Sequence, residues 1–167
     1  VEGKGVVEAE INPIVGASSA HLNETAEEVQ KLGKYTDPNE AKEFVKETGI
    51  DILASFVGNL HGVYKTAPEI DVVRLKEIAE RVDCFLSLHG GSGIPDDQVR
   101  MAVESGVVKV NVNSEMRIAY RETLEKVLKK NEEVAIYKIM PEVIEAVQKV
   151  VEKKIELFGS KNKAQVV

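Results

Sequence analysis

Short apolar runs alternate along this chain with longer amphipathic ones, and that alternation leaves few folds open. Residues 5–11, 50–57, 84–88 and 107–112 read as strands. Asp37-Pro38-Asn39-Glu40 opens a helix, with Asp as N-cap, Pro at N1 and Glu at N3, and Gly49 stops it. Residues 71–81 carry a helical stripe of Val72, Leu75, Ile78 and Ala79. Pro95 opens a third helix running to Ser105, and Ser114 caps a long fourth. Pro141 starts a last helix with Ile144, Val147, Val151, Ile155 and Phe158, stopped by Gly159. Residues 12–23 and 58–65 read as loops, and 160–167 as a loose tail. Strand followed by crossover helix, four times over, predicts an α/β fold on a parallel sheet.

Composition narrows the function classes. The 167 residues suffice for a single domain over 1–167 with a sizeable core. The net charge of −6 argues against nucleic-acid or anionic-membrane partners, which need a basic face. No apolar run is long enough to span a bilayer. The one cysteine, Cys84, cannot form an intramolecular disulfide and reads as a core thiol. A reducing, cytoplasmic setting fits this composition.

Polar residues gather where the strands end: Glu10 after the first, Gly58 and His61 after the second, His89 and Gly90-Gly-Ser-Gly93 after the third. Asn111, Asn113 and Ser114 follow the fourth. Parallel α/β folds build their sites at that edge. Imidazoles from adjacent loops can share one metal, although two do not complete a tetrahedral shell, and two unrelated histidines fit the spacing equally well. Gly90, Gly91 and Gly93 let backbone N–H groups approach an anion, beside a helix N-terminus near Pro95. Plain strand-to-helix turns also favour Gly and Asn. Glu8 and Glu10 share one strand face, and on an enclosed face their charges need a cation or a partner. Tyr64 and Lys65 could touch a phosphate, although a solvated lysine is the commoner case; Glu24, Glu27 and Glu28 read as a solvent face, and His21 carries no assigned role.

Three motifs then carry a resemblance. Gly58-Asn-Leu-His-Gly-Val-Tyr-Lys65, Leu88-His-Gly-Gly-Ser-Gly93 and Val108-Lys-Val-Asn-Val-Asn-Ser-Glu115 together resemble class II fructose-bisphosphate aldolases, in the family's order and spacing. Tyr35-Thr-Asp-Pro38 and Phe158-Gly-Ser160 resemble further stretches of that family. The resemblance implies a TIM (β/α)8 barrel, of which this chain would supply about four C-terminal β/α units and a terminal helix. It implies a cytoplasmic, glycolytic lyase that cleaves a ketose bisphosphate with zinc, together with a second divalent metal and a monovalent cation. His61 and His89 would be zinc ligands, and Glu10 would serve the second metal site. Gly62, Gly90, Gly91, Ser92, Asn113 and Ser114 would hold the substrate phosphate and its adjoining carbons. Asn111 would be catalytic, contacting the triose-phosphate oxygens and stabilising the enediolate.

The resemblance further implies a phosphorylated sugar substrate and a homo-oligomer. The family's third zinc histidine and its catalytic aspartate lie in an earlier unit. The N-terminal half of the barrel is therefore expected from the same or another chain, and this chain alone is expected to be weakly stable and inactive. The family's Gly-Gly pair and acidic loop are replaced by Asn12-Pro-Ile-Val-Gly-Ala-Ser-Ser-Ala20. Two further readings stand beside the first: a tagatose-bisphosphate aldolase, and a non-catalytic half-barrel acting as a binding or structural subunit.

Overall fold

Residues of high β-propensity flanked by glycine, asparagine and capping aspartates set the elements of the first compact unit, Val1–Val112. In the computed structural model, which describes residues 3, 5–130 and 132–164, four strands form one parallel sheet. They are β1 (Glu8–Ile11), β3 (Ile52–Ser55), β5 (Phe85–Leu88) and β6 (Val107–Val110), adjacent in chain order. Helices α2 (Pro38–Thr48), α3 (Val72–Ala79) and α4 (Asp96–Glu104) are the crossovers. The expected cap at Asp37 holds, accepting from the amides of Asn39 and Glu40; Asp71 accepts likewise from that of Arg74, and Ser114, read as a cap, is the first residue of its helix.

Register assigns each residue a face. Glu10, Ala54, Ser87 and Lys109 are partners in one row across the sheet, and Glu8, Ile52 and Phe85 in the row before it. The alternate residues Leu53, Leu86 and Leu88 are at most 2% exposed, and Leu75, Ile78 and Val99 of the helices are buried with them. This is the main core. The other face carries the polar row, and its Phe85 is 60% exposed.

Three expectations are corrected. Residues 12–23 and 58–65, read as loops, contain β2 (Gly16–His21) and β4 (His61–Tyr64), which pair in parallel as a separate two-stranded ribbon. Ribbon residues 16–20 are all exposed, so no apolar alternation betrayed the strand. Glu24, Glu27 and Glu28, read as a solvent face, are exposed as expected, and the last two lie on a helix that the sequence reading did not name, α1 (Ala26–Gln30), closed by a Thr25–Glu28 capping box. Beneath the ribbon lies a smaller core of Ile14, Ala26, Phe56, Leu60 and Tyr64. Cys84 is only half-buried, and burial pushes its thiol up from the ordinary value.

The second unit, Asn113–Val167, contains two helices, α5 (Ser114–Lys130) and α6 (Ile136–Leu157), packed on each other. The last helix begins at Ile136 rather than at Pro141, which lies inside it. Proline there removes one bond to the preceding turn. Ile139 and Val143, both buried, carry the helix's packed side across that point. Buried Lys154 is neutralised by Glu115 at 2.8 Å. No helix of the described residues is long and apolar enough to cross a membrane. Of the expected tail, residues 165–167 lie outside the described residues.

Candidate active site

The carboxyl edge of the sheet gathers its polar side chains through backbone stitching between loops. Gly90 makes the closest approach. Its φ is +62°, and a Cβ there would run into the Leu60 carbonyl, with the His61 nitrogen at 3.2 Å. Only glycine lets the loop after β5 press on the peptide that precedes His61. Asn59, fully buried, accepts from the Val57 amide at 2.8 Å and donates to the His89 carbonyl at 3.1 Å. The Gly91 amide donates to the Asn111 carbonyl at 2.8 Å, and the Asn111 amide to the Leu88 carbonyl at 2.9 Å. Three consecutive strand ends are thereby tied together.

The result brings the two histidine rings near each other. The rings of His61 and His89 stand 6.4 Å apart between centroids, tilted by 31°. Two imidazoles on one tetrahedral zinc stand about 5 Å apart, so a modest approach of the rings would let both bind one ion. Imidazole chemistry would suit that metal, and the pair would supply at most half of a four-ligand shell. Among the described residues no group of three or more His, Cys, Asp or Glu side chains is arranged to hold a metal.

Carboxylates flank His89 on both sides. Its Nδ1 lies 2.8 Å from Glu10 Oε2, and its Nε2 lies 2.6 Å from Glu8 Oε1. Glu8 reaches this far because the residue between β1 and β5 on this face is Ala54, whose small side chain leaves the path open. Glu8 also accepts from Ser87 Oγ at 2.8 Å and from Lys109 Nζ at 2.9 Å. Lys109 in turn donates to Asn111 Oδ1 at 2.8 Å. Burial alone would raise the Glu8 carboxyl. Hydrogen bonds from Lys109, His89 and Ser87, with the Lys109 charge, outweigh it and hold the group at about 2. The cation that faces Glu8 is therefore Lys109, while His89 ties Glu8 and Glu10 together by hydrogen bonds.

The ribbon closes one side of His61. The His61 amide donates to the Val15 carbonyl at 3.0 Å, and the Tyr64 hydroxyl donates to the His61 carbonyl at 2.8 Å. Gly62, at φ +114°, faces the ribbon: a Cβ there would sit 2.6 Å from the Ala17 carbonyl and 2.8 Å from the His21 ring. His21 stacks on Tyr64 at 4.8 Å and pairs with Glu24 at 2.8 Å. The Lys65 amide is bonded to the Glu24 carbonyl.

Of the residues singled out in the sequence, Glu10, His61, His89, Gly90, Gly91 and Asn111 meet at this edge. Ser92 follows in the same loop and is buried. Asn113 and Ser114 belong to the second unit, where they begin α5. Sequence reasoning missed Asn59, Ser87 and Lys109, and passed over Glu8 in favour of Glu10. Counting by twos back from His89 to Ser87 and from Asn111 to Lys109 would have put both on the face of Glu8.

The chain as a whole is similar to known proteins. The family model for class-II fructose-bisphosphate aldolase matches residues 2–163. The solved YdjI aldolase from Escherichia coli K12 is 34% identical, with a TM-score of 0.65 over 79% of this chain and 48% of that one. A Coccidioides immitis protein assigned as a fructose-1,6-bisphosphate aldolase is also 34% identical, with a TM-score of 0.71 over 93% of this chain and 53% of that one. Fructose-bisphosphate aldolase from Campylobacter jejuni is 22% identical and shares the fold, with a TM-score of 0.70 over 95% of this chain and 53% of that one. The chain thus spans about half the length of these relatives.

Proposed function

Because this chain belongs to the class-II fructose-bisphosphate aldolase family, we propose that it carries one half of a zinc-dependent aldolase site. The full site sits on a TIM barrel, with the remaining strands contributed by the same or another polypeptide. The reaction is reversible cleavage of a ketose bisphosphate, fructose 1,6-bisphosphate, into dihydroxyacetone phosphate and glyceraldehyde 3-phosphate. The observation that carries this reading is the pair of imidazoles, His61 and His89, whose centroids lie 6.4 Å apart beside the glycine-rich loop.

His61 and His89 would hold the metal, with Glu10 beside them for a second divalent ion. When bound, zinc supplies a Lewis acid that polarises the ketose carbonyl and stabilises the negative charge left by carbon–carbon cleavage. Asn111, oriented by Lys109, offers its amide to the oxygens of the triose portion. The Gly90 loop with Ser92 would serve a phosphate in the first unit, with Asn113 and Ser114 as the residues that the second unit would add; the Gly91 amide is already bonded to the Asn111 carbonyl and instead fixes the loop. Binding the remote phosphate fixes the reacting carbons in place. A tagatose bisphosphate would use the same groups, differing in the stereochemistry of one hydroxyl.

Zinc content, intact mass and turnover of the purified protein test this together. The expected result is about one zinc per polypeptide and cleavage of fructose 1,6-bisphosphate that chelation abolishes and zinc restores. His61→Ala and His89→Ala should each remove the metal. A zinc-free protein with the mass of these residues alone and no turnover would instead identify a non-catalytic half-barrel. Faster cleavage of the tagatose epimer would reassign the substrate.

A further inference from the structure

The two carboxylates beside His89 are not equivalent. Glu10 lies at the strand end and, besides His89, accepts only the Ile14 amide at 3.2 Å among its described hydrogen bonds. Glu8 lies one row deeper. Its side chain is held from three directions, by Ser87 Oγ, Lys109 Nζ and His89 Nε2, and the contact to His89 is the shorter of the two. Lys109 is itself fixed at its other side by Asn111 Oδ1.

A carboxylate can only accept, so the imidazole nitrogen it holds must carry the proton. A metal takes the nitrogen whose lone pair is free, and the partner of the opposite nitrogen decides which one that is. We infer that Glu8 is a positioning residue for His89: it holds the Nε2–H from beneath, so that Nδ1 is the nitrogen offered to a metal, and Lys109 holds Glu8 in place. Glu10, with fewer ties, is the carboxylate that gives up its contact with Nδ1 when a metal arrives. This rests on the reading of His89 as a metal ligand. It extends the site inward along one face of the sheet, from Glu8 on β1 to Lys109 on β6.

The same chain of contacts could serve packing alone, and metal binding separates the two roles. In the complete protein, zinc affinity is measured by competition with a chromophoric chelator for the unsubstituted form, Glu8→Gln, Glu8→Ala and Lys109→Met. Glu8→Ala should weaken zinc binding by about 10- to 100-fold. Glu8→Gln, which keeps an oxygen acceptor for the Nε2–H, should recover part of the loss. Lys109→Met should fall between the unsubstituted form and Glu8→Ala.

With cadmium-113 in place of zinc and ¹⁵N-labelled histidine, the metal should couple to His89 Nδ1, with the proton on Nε2. Coupling to Nε2 would overturn the proposal. So would unchanged zinc affinity in folded Glu8→Gln and Lys109→Met, provided that His89→Ala abolishes binding. If His89→Ala binds zinc like the unsubstituted protein, the metal-site reading itself fails, and the positioning role falls with it. Should Glu8→Ala not fold, the Gln variant and the coupling measurement decide alone.

Discussion

The two faces of the four-stranded sheet are made from the same strands and behave as different materials. One presents Leu53, Leu86 and Leu88, at most 2% exposed, against the buried stripes of the crossover helices. The other presents Glu8, Glu10, Ser87, His89 and Lys109, joined by hydrogen bonds, with Phe85 60% exposed at its lower end. Leu53 and Ala54 are neighbours in the chain, equally buried, and serve opposite ends. The leucine fills the core, whereas the alanine keeps a lane open for Glu8. Apolar burial is concentrated on the first face and hydrogen-bonded polar side chains on the second.

Substitutions that treat the faces as equivalent should expose the difference. The largest effect is expected at the covered face: Leu53→Ala should lower the free energy of unfolding by about 2–5 kcal/mol in urea titrations. Phe85→Ala should lose well under half of that in the chain alone. If both cost the same in the chain alone, the open face is not open. A larger loss at Phe85 in the complete protein would mean that barrel closure covers it.

An intermediate effect is expected where the edge is stitched. Gly90→Ala meets both a left-handed backbone and the Leu60 carbonyl, a strain of about 1–3 kcal/mol. It should weaken zinc binding by about tenfold or more, because it parts the loops that bring His61 and His89 together. Loss of stability with zinc affinity intact would mean that the histidines are positioned independently of that contact.

The smallest effect is expected at the rim of the covered side. Hydrogen bonds from the backbone amides of Glu40 and Asn39 hold the Asp37 carboxyl below its ordinary value. A group depressed on folding stabilises fully above its unfolded pKa, and that contribution is lost as pH falls through the folded one. Asp37→Ala should therefore lower the melting midpoint by roughly 2–4 °C at neutral pH. The gap should close in acid. A gap independent of pH would mean that the cap acts through something other than its charge.

The covered face was legible in the sequence because burial against helices demands apolar runs and capped, striped helices, and both are written plainly in residues 37–49 and 71–81. The strand-end histidines and glycines were legible too. The ribbon was not. Its strand Gly16–His21 is small, polar and exposed, held by backbone pairing with β4, and carries no pattern beyond its glycine. Lys109 and Ser87 went unnoticed for a related reason. Each lies in a short strand among apolar residues, and its importance depends on a side chain about eighty to a hundred positions away, at Glu8. Such pairings follow from register, which no local window contains. Asn12, which turns the chain after β1 at φ +60°, has a buried Oδ1 without a partner among the described residues, and nothing in its neighbours signalled that either.

Strand order also bears on how the sheet assembles. Because each strand joins the one from the preceding unit, the loops to be closed shorten along the chain. Glu8 meets Ile52, Ile52 meets Phe85, and Leu86 meets Val107. Halving a loop lowers its closure cost by only about 0.6 kcal/mol, yet the bias runs one way from end to end. The helical crossover from β5 through α4 to β6, which bears His89 and Asn111, is the cheapest piece to form, and β1 with its two glutamates the dearest to attach. Pulse-labelled amide exchange during refolding should then protect Leu86 and Leu88 before Ala9 and Ile11, so that the imidazole is in place before its carboxylates arrive.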